Sequence, residues 1–136
     1  DQTNNRVDQD IDSLLTQMTS STSVTFSSPQ DSQFKWQTNR ENQIQGRMVT
    51  GKNLSNQQEE SMESYLRSRG FKLDQTNSYV SGNSAGTIGY SKDNSVCLIT
   101  GKIISNGTSS NATSTTSTLK NARFDVEIKC GKLQAT

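Results

Sequence analysis

Histidine is absent from this chain, and with it goes a large share of the chemistry that a protein of 136 residues could otherwise carry. Without an imidazole there is no Ser-His-Asp triad, no base for a catalytic thiol and none of the common His-bearing zinc sites. Proline and tryptophan occur once each, and aromatic residues make up 6% of the chain. Apolar residues of all kinds reach only 28%, and no run of them approaches the roughly 18 that a membrane span requires. So little hydrophobicity would suit a disordered chain, but disorder by composition also needs a large net charge, and here 14 basic residues face 13 acidic ones. The expectation is one folded domain over residues 1–136, with a small core and polar loops. The near-neutral balance also lacks the basic excess that steers proteins to nucleic acid, so no nucleic-acid partner is expected.

What the chain has in abundance is Ser, Thr, Asn and Gln, accompanied by two cysteines, enough for one disulfide. This usage points to an extracytoplasmic setting: secreted, periplasmic or cell-surface. The chain begins at Asp1 rather than Met, which leads us to expect an upstream signal peptide, lipid anchor or membrane helix, with any membrane association running through that segment. The sequons at Asn53, Asn106 and Asn111 carry little weight in a sequence so rich in Asn, Ser and Thr.

Val7, Ile11, Leu14, Leu15 and Met18 repeat at helical spacing and predict an amphipathic helix of about three turns, with Asp8, Asp10 and Asp12 placed where its dipole favours negative charge. A second helix is punctuated at both ends. Ser55-Asn56-Gln57-Gln58 reads as a capping box and Gly70-Phe71 as a Schellman stop, with Met62, Tyr65 and Leu66 as the buried stripe and Glu63 and Arg67 paired on the outer face. Elsewhere the period falls to two, most clearly at Phe34-Lys35-Trp36-Gln37 and from Phe124 to Cys130. Further strands are expected near 21–28, 43–50, 71–80, 86–91 and 95–104. Residues 105–119, a Ser/Thr/Asn/Gly tract without periodicity, read as a long mobile loop. Thr50-Gly51-Lys52 and Thr100-Gly101-Lys102 each follow apolar pairs, and the two helix stripes match in step with them. The pattern suggests tandem helix-plus-strands pseudo-repeats over 5–52 and 55–132 with an added final strand. The fold class expected is α+β, with two helices on one face of a twisted, mainly antiparallel sheet of six to seven strands.

Cys97 shares a strand face with Ile99 and Ile103, and Cys130 with Phe124, Val126 and Ile128, so both are expected to face inward and to be bonded to each other. Glu59, Glu60 and Glu63 cluster in the first turns of the second helix, where acids are explained as dipole partners. Asp8, Asp10 and Asp12 begin like a calcium loop, but Ser13 replaces its turn glycine and Thr19 its bidentate glutamate. Gly82, Gly86 and Gly89 lack a phosphate-binding spacing. No metal and no cofactor is therefore expected. Trp36, alternating with Phe34, is expected to pack in a core rather than to recognise a ligand. The strands around Val49 and Leu98 are apolar on both faces, and with helices on one side only, Val49, Val96 and Leu98 are expected to leave an apolar strip for a partner. The function this suggests is a non-enzymatic extracytoplasmic module that binds a protein or a cell-wall component through a sheet face or loops. A secreted enzyme inhibitor presenting the loops near 28–32 or 81–86 is the alternative, and a carboxylate-dependent hydrolase is the reading from another class.

Overall fold

The second helix shows how local sequence sets the architecture. In the computed structural model, which describes residues 2–38, 41–81, 85–105 and 122–133, helix α2 spans Asn56–Ser68 and opens on the expected capping box. The Gln58 backbone N–H donates to Ser55 Oγ at 3.1 Å, and the Ser55 N–H donates to Gln58 Oε1 at 2.9 Å. It closes on Gly70, whose φ of 93° suits a residue without a side chain. The Phe71 N–H returns to the Leu66 carbonyl and the Gly70 N–H to that of Arg67, both at 3.0 Å, which satisfies the last carbonyls of the helix. Helix α1 spans Gln2–Ser20 and buries Ile11, Leu15 and Met18, with Leu14 packed at the margin.

Six strands accompany the helices, two between α1 and α2 and four after α2: β1 (Gln30–Gln37), β2 (Glu41–Ser55), β3 (Lys72–Ser81), β4 (Ala85–Lys92), β5 (Ser95–Ser105) and β6 (Arg123–Lys132). They form one antiparallel sheet in the order β1-β2-β6-β5-β4-β3. Both helices lie on one of its faces. Their stripes meet Val49, Leu54, Tyr90, Cys97, Ile99, Val126, Ile128 and Cys130 in the main core. The last strand runs between β2 and β5, and the two Thr-Gly-Lys segments flank it in the same register. Thr50 and Thr100 both stand opposite Glu127, and Gly51 and Gly101 both stand opposite Val126.

The strand expected at 21–28 is reduced to one bridge, Phe26 to Gly51. Helix α1 unwinds through turns at Ser21–Ser23, where Ser23 takes a φ of 63°, and Pro29 has no N–H to extend the ladder. Phe26 instead lies across Gly51, where a Cβ would come within 2.6 Å of its ring. Most of the tract expected as a mobile loop, residues 106–119, lies outside the described residues, while Ser105 ends β5.

The far face of the sheet departs from expectation in a way that decides the functional reading. Val96 and Leu98 are not an exposed strip, because the β1–β2 hairpin bends over them and buries Phe34, Trp36, Ile44, Val96 and Leu98 together as a second core. Glycines make the bend possible. A Cβ on Gly131 would collide with Ile44 Cγ2, and one on Gly46 would collide with the Cys130 carbonyl oxygen and lie 2.9 Å from the Phe34 ring. The fold-over is clasped at its tip by Asn77 of β3, whose Oδ1 accepts from the Gln37 N–H at 2.7 Å while its Nδ2 donates to the Gln37 carbonyl at 2.8 Å. Gly89 leaves room for that clasp, since a Cβ there would stand 2.8 Å from the Asn77 Cβ.

Candidate functional site

Of the residues singled out in the sequence, the cysteines stand where expected. Cys97 and Cys130 are direct partners across β5 and β6, their Cα atoms 4.1 Å apart, and form a disulfide. Both are buried in the main core, which makes the bond a structural one rather than a reactive centre. It is compatible with an oxidising, extracytoplasmic location, and among the described residues no helix is long and apolar enough to cross a membrane.

The expected binding strip of Val49, Val96 and Leu98 is overturned. Val49 is 3% exposed and faces the helices; Val96 and Leu98 are 0% and 9% exposed beneath the hairpin. Beyond them the far face is largely polar, with Tyr79, the cross-strand partner of Thr87, exposed at its edge. Thr87 and Thr100 share a hydrogen bond at 3.0 Å, and Lys129 pairs with Glu127 at 3.1 Å. Asp12 of α1 has a structural role: it receives two hydrogen bonds from Arg47, at 2.8 and 3.1 Å, and Arg47 also reaches Asp31 at 2.7 Å, tying the helix to the hairpin.

The apolar surface that remains open lies on the helix side. Helix α2 packs mainly over β2 and β6 and leaves the sheet toward edge strand β3 uncovered, as a trough of about 510 Å³. Its floor is Ile88, Ile99, Ile103 and Phe124, with Gly86 and Gly101 between them. A Cβ on Gly101 would meet nothing nearer than the Phe124 ring at 3.8 Å, so the glycines create the depth. One rim is Val80, which is 79% exposed; Tyr79 and Leu73 on the same strand are more than half exposed. Exposed apolar side chains on an edge strand are a liability that proteins usually blunt unless something covers them.

The opposite wall is Glu59. The three glutamates, expected as solvated dipole partners, converge until single carboxylate oxygens of Glu59, Glu60 and Glu63 all lie within 4.8 Å of one another. Glu63 is buried rather than outward. It accepts from the Tyr90 hydroxyl at 2.7 Å, and that hydroxyl accepts from Arg67, which also holds Glu60 at 2.5 Å and stands 3.9 Å from Glu63. Burial and the bond to Glu63 push the Tyr90 hydroxyl up to about 12, which keeps it a donor. Glu59 is pushed from its ordinary value near 4.5 up to about 9 by burial first, then by a hydrogen bond to Glu63 and the charges of Glu63 and Glu60, against which Arg67 acts weakly.

This shift has a sign that can be checked. The folded chain keeps a proton on Glu59 that the unfolded chain releases above the usual carboxylate range. The stability carried by this group is therefore fully present below about pH 4.5 and is lost as pH rises through about 9. Glu59→Gln fixes the neutral form. The variant is expected to match the wild type in urea midpoint near pH 5 and to exceed it near pH 9; a wild-type midpoint that climbs with pH relative to the variant would refute the assignment.

A second groove of about 580 Å³ lies at the opposite end of the helices, against Tyr65, Arg69, Phe71 and Lys92. Its polar groups are occupied with one another. The Tyr65 hydroxyl donates to Gln17 at 2.6 Å, Arg69 donates to both, and its guanidinium covers the Tyr65 ring at 5.2 Å. The trough is the better candidate. Sequence reasoning missed it because Val80, Ile88, Ile103 and Phe124 belong to four different strands; the available signal was two glycines at inward positions of strands, where a side chain would ordinarily pack. Comparison with protein-family models, with curated proteins and with solved structures finds no match to this chain.

Proposed function

We propose that this chain is an extracytoplasmic, non-enzymatic binding module that takes a protein partner in the trough between α2 and the β3 edge. The observation that carries the reading is the combination of an apolar floor kept open by Gly86 and Gly101 with an exposed edge strand beside it. A strand edge offers backbone donors and acceptors, and the floor offers pockets for side chains, which together are what an added segment needs. The hydrolase reading is weaker. Glu59 stands on one wall, and no acid among the described lining residues faces it across the trough, as paired glycosidase carboxylates must.

The test is to fill the trough. Gly101→Val adds a β-branched side chain at a strand position whose backbone accepts it and whose Cβ has room. A neutral fluorescent probe such as N-phenylnaphthylamine is expected to brighten with the wild-type protein. It should lose most of that signal with Gly101→Val and with the exposed-rim change Val80→Asp, while thermal stability of both variants stays within about 1 kcal/mol of wild type. Absence of probe binding to the wild type, or equal binding to both variants, would show that the trough does not receive apolar groups.

A further inference from the structure

We infer that the trough's partner is a basic amphipathic peptide segment, one that lays apolar side chains over Ile88, Ile103 and Val80 and brings a lysine or arginine to Glu59 and Glu60. This deepens the proposed function and rests on it. Charge complementarity selects such a segment. Among the described residues Glu59 is the one carboxyl group lining the trough, and it belongs to a trio of acidic side chains answered by the single guanidinium of Arg67. Arg67 is spent on Glu60 and Glu63, and Tyr90 on Glu63, which leaves Glu59 sharing a hydrogen bond with Glu63 at the margin of the apolar floor, with no ion pair of its own among the described residues. The whole chain carries only +1, so this negative wall is a local feature and not a consequence of composition.

Glu59 relieves its position in the free protein by holding a proton, which is why its carboxyl is pushed so far up. A cation delivered beside it does the same work and releases that proton. An acidic segment would add a fourth carboxylate to the wall. A neutral one would gain the apolar contact alone. The exposed side chains of β3 mark the direction from which the segment enters, with its backbone against Tyr79 and Val80.

The experiment titrates the full chain by calorimetry with three short synthetic peptides of identical leucine content, whose polar positions are all lysine, all serine or all glutamate, and with dodecylammonium as a non-peptide cation. The lysine peptide is expected to bind about tenfold tighter than the serine peptide at low ionic strength, with the glutamate peptide weakest and the lysine advantage shrinking in salt. Glu59→Gln together with Glu60→Gln should reduce the lysine peptide to the affinity of the serine peptide and leave the serine peptide unchanged. Gly101→Val should weaken all three. Equal affinities for the lysine and glutamate peptides, or a lysine preference that survives the double glutamine variant, overturns the inference while leaving the proposed function standing. Binding of dodecylammonium without binding of the lysine peptide overturns it in favour of a cationic amphiphile. Self-association of the chain that displaces the lysine peptide overturns it in favour of a second copy. Failure of every peptide and of the neutral probe together removes the proposed function itself.

Discussion

Replacing Cys97 and Cys130 together by alanine is expected to lower stability by about 3–4 kcal/mol and the melting temperature by roughly 10–15 °C. The bond closes a loop with a sequence separation of 33, and in the chain-entropy model the unfolded state loses conformations in proportion to the logarithm of that length. It also joins β5 to β6 at the centre of the sheet, under both helices, so the alanine pair leaves unfilled volume among Ile11, Leu15 and Tyr90. Ladder hydrogen bonds and the Ile99–Ile128 pair on either side keep the strands in register, and the variant should still fold at 25 °C. Urea denaturation of the double variant checks the size of the effect, and a loss below about 1 kcal/mol would contradict it. Alkylation of natively purified protein without reductant checks the bond itself: two labelled thiols would mean that it does not form.

The parts of this fold that could be read from sequence are those whose causes are local. Ser55 and Gln58 cap each other across one turn, Gly70 stops α2 within two residues, and the alternation from Phe124 to Cys130 repeats the pleat of a single strand. The disulfide was legible for the same reason, since each cysteine could be placed on the inner face of its own strand by parity alone. The far face was not. Val96 and Leu98 present the same alternation whether water, a partner or the chain's own hairpin covers them, and what covers them depends on Gly46 and Gly131, which meet only because β6 runs beside β2.

The acidic trio failed for a related reason. On a helix wheel Glu63 looks outward, but the Tyr90 side chain of β4 reaches α2 and supplies a buried donor that the helix sequence cannot announce. Thus the candidate site moved from the far face to the helix face. Burial of one apolar strip by a folded-over hairpin leaves another strip open, because two helices cannot cover six strands. A helix is about 10 Å wide and strands are spaced about 4.8 Å, and both helices pack mainly over β2 and β6, which leaves the β4–β3 end of the sheet open.

Trp36→Ala is expected to cost about 3–5 kcal/mol, the largest effect of any single substitution considered for this chain. Trp36 is 2% exposed in the second core, flanked by Phe34 on its own strand and covering Val96 and Leu98. That core is small, so the indole supplies much of its contact area. β1 has no other anchorage of comparable size: it is an edge strand, held by its pairing with β2, by the Arg47–Asp31 contact and by the Asn77 clasp on Gln37. Truncation should therefore loosen the hairpin before the rest of the sheet, exposing Val96 and Leu98. Because Trp36 is the only tryptophan, its emission reports on the hairpin alone, while far-ultraviolet circular dichroism reports on the whole fold. In the wild type the two urea transitions are expected to coincide, as a single cooperative unit requires. In Trp36→Phe, which keeps an aromatic ring in place, most of the stability should return. In Trp36→Ala, hydrogen exchange along Gln30–Gln37 should accelerate well beyond that of β5 and β6. The neutral probe should also bind to a new site that Gly101→Val no longer blocks. A loss below about 1 kcal/mol, or an unchanged exchange rate in β1, would show that the hairpin does not depend on its indole, and that the burial of Val96 and Leu98 has another cause.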